Sequence, residues 1–341
     1  MVQKANTIEE LLQDCPVNSV IGDNLIRAWS IINNDKYDSI LCSISGGSDS
    51  DEMLDIVWRC DKDDKVTYVW FDTGLEYQAT KDHLKYLEQK YNIKINSHQA
   101  IKPIPVSCSK YGQPFISKQV SEFISRLQRH NFEWEDKPFD ELYKEYPKCK
   151  SALEWWCNEK QSDNFNIRKN AFLKEFMIKY PPKFKISNKC CKYAKKDVLH
   201  KLIEEYLDYD SNILVIMGVR RAEGGVRATA YKSCFNETIN GCDNYRPLFW
   251  YKNNDKDCYD VAYTIEHSRC YTEYGLKRTG CAGCPFGRDL EYELEIIEKY
   301  EPKLYKAVNN IFGNSYEYTR KYKQFCKEMK ENDSKKSITC L

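Results

Sequence analysis

The stretch Ser39-Ile40-Leu41-Cys42-Ser43-Ile44-Ser45-Gly46-Gly47-Ser48-Asp49-Ser50 decides the fold of this chain. Its first six residues form an apolar run that predicts a buried strand, and the apolar positions after Ser50 recur with helical spacing. A strand that turns through glycines into a helix N-terminus forms an anion site, because several backbone N–H groups converge there and the helix dipole favours negative charge. The stretch therefore predicts a site for a nucleotide phosphate.

Residues 45–50, the glycine loop, lack the spacing of two common phosphate motifs. They show neither Gly-x4-Gly-Lys-[Ser/Thr] nor Gly-x-Gly-x-x-Gly. The loop resembles instead the Ser-Gly-Gly-x-Asp-Ser motif of the PP-loop ATP pyrophosphatase superfamily. This resemblance implies an adenine nucleotide, either ATP or adenylyl sulfate (APS) or its 3′-phosphorylated form (PAPS), with Mg²⁺. It gives Asp49 a catalytic role and makes the rest of the loop nucleotide-binding: Ser45, Gly46, Gly47, Ser48 and Ser50.

A second motif follows the next apolar run, Val66-Thr67-Tyr68-Val69-Trp70-Phe71. Phe71-Asp72-Thr73-Gly74 stands where that predicted strand ends, and open α/β sheets bind ligands at the carboxyl ends of their strands. The segment resembles the Phe-Asp-Thr-Gly of the PAPS reductase branch of the same superfamily. By that resemblance Phe71, Thr73 and Gly74 border the nucleotide, and Asp72 orients a hydroxyl or a magnesium ion. Without the resemblance, an ordinary turn at the end of a strand is the alternative.

A third motif is the arginine loop, residues 218–227, which follows the apolar run Ile213 to Met217. Guanidinium groups bind phosphate or sulfate in a bidentate manner, so arginines between glycines are suited to a mobile clamp on a polyanion. The loop resembles the family segment Gly-x-Arg-x-x-Glu-Ser-x-x-Arg, although Gly224 replaces the usual serine. The resemblance implies catalytic roles for Arg220 and Arg227. It also implies nucleotide binding by Gly218, Arg221 and Glu223.

Sixteen cysteines, two of them adjacent and two in a Cys-x-x-Cys pair, indicate metal ligation. Cys190-Cys191 precedes Cys281-Ala282-Gly283-Cys284 by about ninety residues, and thiolates are soft ligands for zinc or iron–sulfur clusters. The arrangement resembles the [4Fe–4S] site of assimilatory adenylyl-sulfate reductases, which implies a cluster on these four cysteines. Structural zinc and unligated thiols are the alternatives. Isolated cysteines such as Cys42 and Cys60 are predicted core residues.

The bulk composition favours a soluble cytoplasmic protein with a large core. The chain has 341 residues, a net charge of +1 and no apolar run of transmembrane length. No secretory signal is visible, so a reducing compartment is expected. We predict no membrane contact, and oligomerisation stays open.

Alternating strands and helices predict an α/β fold with a doubly wound, mainly parallel sheet, and the resemblance implies the HUP type, similar to adenine nucleotide alpha hydrolases. We predict four segments. Residues 1–105 form a helical lead-in and the first half of the α/β domain, and 106–180 form a helical insertion whose aromatics are core. Residues 181–290 form the second part with the cysteines and the arginine loop. Residues 291–341 form a helical C-terminus whose tail is mobile from Glu331.

Three functions are compatible with these motifs. The first is cleavage of ATP between the α and β phosphates, adenylation of an acceptor and sulfur transfer, as in tRNA thiolation and DNA phosphorothioation. Its partners would be a tRNA or DNA acceptor and a sulfur donor such as a cysteine desulfurase. The second is reduction of APS or PAPS to sulfite. The reductases carry a C-terminal Glu-Cys-Gly-[Leu/Ile]-His segment, which this chain lacks, and Cys340 stands without the Gly or His. The third is nucleotide binding without turnover in a defence or modification complex. Residues 110–118, 184–189 and 246–250 resemble segments of PAPS reductase-like proteins found in phages and mobile elements.

Overall fold

A computed structural model describes residues 4–207, 212–224, 230–238 and 241–339, with side chains through residue 332. Its centre is a six-stranded sheet with the order β3-β2-β1-β4-β6-β5. The strands are β1 Ser39–Ser43, β2 Val66–Asp72, β3 Ile95–Gln99, β4 Ile213–Met217, β5 Phe235–Asn236 and β6 Cys242–Tyr245. All neighbours pair in parallel except β5, which is antiparallel to β6.

Both faces of the sheet are covered, because alternate residues of each strand enter different cores. Cys42 on β1 is in register with Tyr68 on β2 and Ile216 on β4, and these residues lie in one apolar cluster. Leu41, its neighbour on β1, lies in a second cluster on the other face with Val215. Strands buried on both faces read as continuous apolar runs, so the predicted doubly wound α/β fold is confirmed.

The chain divides into two compact units. The sheet unit comprises the described residues of 1–101 and 194–282, and the helical unit comprises those of 102–193 and 283–339. The predicted boundaries lay elsewhere, at 105, 180 and 290. The helices of the sheet unit are α1 Ile8–Gln13, α2 Ser19–Ile32, α3 Ser48–Cys60, α4 Gln78–Tyr91, α11 Asp197–Leu207, α12 Asn253–Tyr263 and α13 Arg269–Thr272.

The helical unit has its own aromatic core. Its helices are α5 Ile104–Tyr111, α6 Lys118–Arg129, α7 Phe139–Glu145, α8 Lys150–Trp156, α9 Leu173–Lys179, α10 Lys189–Cys191, α14 Leu290–Tyr300 and α15 Pro302–Thr339. Trp155, Trp156 and Phe176 are fully buried, as their helical spacing predicted. Phe165 is 52% exposed in a short 3-10 turn, so its assignment to the core was wrong. Helix α15 continues through Thr339, past the Glu331 at which a mobile tail was predicted.

No helix in the described ranges is both long and apolar enough to cross a bilayer.

Candidate functional site

The glycine loop joins β1 to α3 at the carboxyl edge of the sheet. Gly46 has φ +68°, and a Cβ at this position would lie 2.9 Å from Cγ2 of Thr80. Gly47 is the N-cap residue of α3 and supplies no side-chain cap to the amides of the first turn. A thirteen-residue helix with an uncapped N-terminus keeps N–H donors and a positive dipole end for an anion.

Two of the predicted nucleotide-binding serines shape the loop itself. The Ser45 amide donates to Oγ of Ser50 at 2.9 Å, and the Gly47 amide donates to Oγ of Ser45 at 3.4 Å. These bonds hold the loop in the conformation that α3 continues. Ser50 is 4% exposed, whereas Ser45 is exposed. Of the two hydroxyls, that of Ser45 is therefore the more accessible to a ligand.

Residues 271–279 of the sheet unit cover the start of α3. The Ser48 amide donates to the Tyr271 hydroxyl at 3.2 Å, and the same hydroxyl lies 2.9 Å from Oγ1 of Thr279. A Cβ on Gly47 would lie 3.1 Å from that Thr279 oxygen. The hydroxyl of Tyr271 thus holds one of the donors that a phosphate would use. Sequence reasoning missed this residue, because an isolated Tyr carries no motif.

The arginine loop follows β4, the parallel neighbour of β1, and it reaches the same edge. Arg220 Nε lies 3.0 Å from Oδ1 of Asp49 as an ion pair. Gly218 lies beside the same residue, since a Cβ there would be in ordinary contact with the backbone oxygen of Asp49 at 3.4 Å. The chain leaves β1 toward β2 on one side and returns as β4 on the other, so this is the switch point at which open α/β sheets bind ligands.

The other predicted residues of the arginine loop lie in different environments. Glu223 accepts a hydrogen bond from the Arg220 amide at 3.4 Å and forms an ion pair with Arg278. Arg221 is exposed and stacks over the ring of Trp250 at 5.7 Å. Arg227 lies outside the described residues. Within the described part of the loop, Arg220 is the arginine that meets the glycine loop.

Residues 72–76, the Asp72 turn, are held by hydrogen bonds of their own side chains. Oδ1 of Asp72 accepts the Gly74 amide at 2.9 Å, and the Thr73 hydroxyl donates to Glu76 at 2.6 Å. Burial raises the pKa of Glu76. Such bonds also occur in an ordinary turn at the end of a strand, which the sequence left open as the alternative to a nucleotide site. The nucleotide-binding roles of Phe71, Thr73 and Gly74, and the catalytic role of Asp72, stay predictions.

The cysteine pair of α10 lies beside a third thiol in the helical unit. Cys190 is buried, and its thiol forms hydrogen bonds with those of Cys108 and Cys191. The bond to Cys108 and the proximity of Cys284 raise the pKa of Cys190 well above its usual range, whereas the bond to Cys191 lowers it. The thiol of Cys190 therefore interacts with two other predicted ligands, Cys191 and Cys284, and with a fourth thiol, Cys108. Sequence reasoning missed Cys108 because it has no cysteine neighbour in the chain.

The Cys-x-x-Cys segment is fixed by its middle residues. The Ala282 amide donates to the carbonyl of Leu75 at 3.0 Å, which places Cys281 next to the turn after β2. Gly283 has φ +60°, and a Cβ there would lie 2.6 Å from the Tyr316 hydroxyl. Its amide donates to Glu293 at 3.2 Å. The turn at Gly283 accordingly requires glycine.

Beneath the glycine loop, the buried face of α3 carries a network of charged groups. His267 bridges two carboxylates, with Nδ1 2.9 Å from Asp51 and Nε2 3.0 Å from Asp260. Burial opposes the charged form of His267, but these hydrogen bonds outweigh it and raise the pKa to about 9. Burial also raises the pKa of Glu52 to about 9, although Lys256 lowers it. The sequence showed the acidic run after the loop without showing its partners.

Comparison with known proteins gives one family match. Residues 39–129 match the family model of the phosphoadenosine phosphosulfate reductase domain. An uncharacterized protein of Methanocaldococcus jannaschii is 24% identical over 284 residues, which are 83% of this chain and 42% of that relative. The chain thus spans about two fifths of the relative's length.

Two solved structures are among those similar to this chain. The phosphoadenylyl-sulfate reductase of Candida auris, in a phosphate complex, is 12% identical, with a TM-score of 0.40 and coverage of 82% of this chain and 97% of that one. The U34-tRNA thiolase of Methanococcus maripaludis with its [4Fe-4S] cluster is 12% identical, with a TM-score of 0.36 and coverage of 90% and 80%. Scores of this size carry no inference about activity. Over residues 39–129, which contain the glycine loop and the Asp72 turn, the chain is similar to the phosphoadenosine phosphosulfate reductase domain family, as its motifs predicted.

Proposed function

We propose that this chain binds ATP at the β1/β4 switch point, cleaves it between the α and β phosphates, and activates an acceptor for sulfur transfer. One observation carries the proposal. Helix α3 begins without a side-chain cap from its N-cap residue, and Asp49 in its first turn forms an ion pair with Arg220 of the arginine loop. Both elements follow neighbouring parallel strands and lie at the same edge of the sheet. Backbone amides and a guanidinium at one point are suited to a polyphosphate, and they offset the charge that develops when pyrophosphate leaves.

The proposed reaction has two balanced steps. An acceptor oxygen attacks the α-phosphorus of ATP, the bond to the bridging oxygen breaks, and pyrophosphate leaves with that electron pair. A sulfide sulfur then attacks the acceptor atom bonded to the adenylated oxygen, the bond between that atom and the oxygen breaks, and AMP leaves with the electron pair. Asp49 positions the Arg220 guanidinium from 3.0 Å, and the amides of Gly47 and Ser48 bind the departing phosphates. Asp72, Arg221 and Arg227 complete the proposed site, with Mg²⁺ bound to the nucleotide.

The cysteines fit a soft metal group. In the helical unit, Cys190, Cys191 and Cys284 would hold a [4Fe–4S] cluster, or zinc as the alternative, and Cys190 and Cys191 already lie in thiol contact. The role of Cys281 as the fourth ligand stays a prediction from the sequence. When bound, a cluster supplies a site that holds or activates sulfur. Cys190 is 3% exposed, and the raised pKa of its thiol indicates that a bound metal must displace a proton there.

A nucleic acid is the proposed acceptor, and a cysteine desulfurase or similar protein is the proposed sulfur donor. Beside the cysteine pair, three ammonium groups surround the Tyr111 ring, those of Lys102 at 5.0 Å, Lys189 at 4.6 Å and Lys110 at 5.7 Å. The ring centroid of Tyr193 lies 5.1 Å from that of Tyr111. Cations around aromatic rings combine phosphate attraction with base stacking, the combination that binds single-stranded nucleic acid.

Product analysis under anaerobic conditions tests the proposal. The full chain is incubated with ATP, with tRNA or DNA and with sulfide, and AMP and pyrophosphate are measured. We expect both products, their loss in Arg220→Ala, and their retention in the control Arg269→Ala, which removes an exposed arginine of the same unit. Release of sulfite from APS or PAPS would identify a reductase instead. ATP binding without either product would identify a non-catalytic subunit.

A further inference from the structure

Three side chains beneath the glycine loop bring ligand atoms together. Glu52 comes from α3, Asp260 from α12 and His267 from the loop before α13, and one atom of each lies within 4.8 Å of the others. All three belong to the sheet unit. Glu52 is fully buried, and the side chains of Asp260 and His267 are 20% and 18% exposed. Two carboxylates and an imidazole are the oxygen and nitrogen donors that bind divalent first-row cations.

Two of these ligand atoms receive no N–H or hydroxyl donor from the described residues. Oε2 of Glu52 and Oδ1 of Asp260 are buried, and the two carboxyls interact with each other. Native proteins rarely leave buried carboxylate oxygens without a donor. Lys256 contacts the other oxygen of Glu52, Oε1. A ligand at Oε2 would therefore leave that ion pair in place.

The imidazole is held as metal-bound histidines usually are. Nδ1 of His267 lies 2.9 Å from Oδ2 of Asp51, and Oδ1 of Asp51 lies 2.9 Å from Nε2 of His83. A carboxylate that accepts from one imidazole nitrogen fixes the tautomer and directs the other nitrogen at a metal. Here that other nitrogen, Nε2, faces Asp260.

The charges around the cluster leave room for one divalent ion. Four carboxylates, those of Asp49, Asp51, Glu52 and Asp260, meet two permanent cations, Lys256 and Arg220. Leaving out the two histidines and any protons on the carboxyls, four negative and two positive charges leave an excess of two negative charges. Buried charge of this kind is compensated either by protons or by a cation. Protons compensate it in the metal-free protein, and a single divalent cation would replace them.

We propose that Glu52, Asp260 and His267 form a binding site for a divalent first-row transition cation, with Asp51 as the positioning residue of the imidazole. The site is separate from the Mg²⁺ that accompanies a nucleotide, since its ligands lie on the buried side of α3 and require no phosphate. Glu52 is one helical turn after Asp49, so the ion would tie the phosphate-binding end of α3 to α12. The proposal does not depend on the proposed function.

Mn²⁺ is the probe, because thiolates select softer metals and the cysteines would not compete for it. Metal-free full-length protein is titrated with Mn²⁺ in the absence of nucleotide, and free Mn²⁺ is followed by electron paramagnetic resonance. We expect one site per chain. Glu52→Gln and Asp260→Asn should each weaken binding at least tenfold, about 1.4 kcal/mol. Asp257→Asn, which changes an exposed acid on the same helix as Asp260, should bind as the wild type does.

A second measurement separates ligation from a structural effect of the substitutions. Electron spin echo modulation of the bound Mn²⁺ should show coupling to an imidazole nitrogen, and this coupling should disappear in His267→Gln. Circular dichroism confirms that each variant is folded, and Asp260→Asn replaces Glu52→Gln if the latter does not fold. Absence of a stoichiometric site, equal affinity in the ligand variants, or a wild-type complex without nitrogen coupling would each overturn the proposal.

Discussion

Replacing Gly46 by alanine should destabilise the sheet unit through two separable effects. The first is the backbone, because φ +68° is the left-handed region, which costs a residue with a Cβ about 1–2 kcal/mol. The second is steric, because the new Cβ would lie 2.9 Å from Cγ2 of the buried Thr80, and overpacking of this kind typically costs about 1–3 kcal/mol. We therefore expect Gly46→Ala to lower the free energy of unfolding by about 2–5 kcal/mol.

A double-mutant cycle with Thr80→Ser tests this reasoning. Serine removes the clashing methyl and retains the hydroxyl that faces Cys270 at 3.7 Å. The single change should cost about 1 kcal/mol for the lost methyl. The double variant should be more stable than the sum of the two single effects by about 1 kcal/mol or more, since the steric part is relieved. Urea denaturation followed by circular dichroism measures all four proteins.

Gly47→Ala is the matched control, because Gly47 has an ordinary φ of −94°. The nearest atoms to its Cβ would be the side-chain oxygens of Thr279, Tyr271 and Ser45, at 3.1, 3.3 and 3.4 Å. We expect a cost of less than about 1 kcal/mol in stability, together with weaker ATP binding by calorimetry, since the Cβ stands among the amides of the site. Additive effects of Gly46→Ala and Thr80→Ser, or equal destabilisation at both glycines, would refute the account of this loop.

Three further predictions concern the site. Arg220→Ala should weaken ATP binding at least tenfold, about 1.4 kcal/mol, in calorimetry, and Arg269→Ala should not; equal affinities would separate Arg220 from the nucleotide. In metal-free protein, the free energy of unfolding should fall by up to about 3 kcal/mol as the pH rises from about 6.5 to about 9. The pKa of His267 is raised to about 9 in the folded state, so protonation of this imidazole stabilises the fold fully below pH 6.5, and the stabilisation is lost as the pH approaches 9. The raised pKa of Glu52 also lowers stability as the pH rises above its ordinary value of 4.5. His267→Gln should therefore reduce the pH dependence of the free energy of unfolding, measured by urea denaturation, only in part. A wild-type protein whose stability did not change with pH would contradict the raised pKa of His267. After anaerobic reconstitution, Cys284→Ser and Cys108→Ser should lower iron and sulfide content per chain while Cys326→Ser retains it, and zinc without sulfide in the wild type would reject the cluster.

The central strands could be predicted because burial on both faces makes them apolar throughout. β1, β2 and β4 have this composition, and each was placed within a residue or two of its bounds. β6 could not be predicted in the same way, since Cys242-Asp243-Asn244-Tyr245 is mostly polar. It is a strand because it pairs with β4, and Asp243 in it is held by Lys36 and Tyr37. Tertiary pairing here overrides local propensity.

The candidate site likewise has one part that could be predicted from the sequence and one that could not. The glycine loop and the arginine loop follow strands, so their meeting at one edge was predictable from the order of elements alone. The partners of Asp51 and Glu52 were not, because His267 and Lys256 are more than two hundred residues away in the chain and no motif joins them. Cys108 escaped notice for the same physical reason. Side chains brought together only by packing leave no spacing in the sequence.

A structure of the full chain with a non-hydrolysable ATP analogue tests the central claim most directly. We expect the amides of Gly47 and Ser48 to bind the β and γ phosphates and the Arg220 guanidinium to contact the same phosphates. The Tyr271 hydroxyl should then be displaced from the Ser48 amide. An analogue bound away from the β1/β4 edge, or bound there with Arg220 still paired only with Asp49, would contradict it.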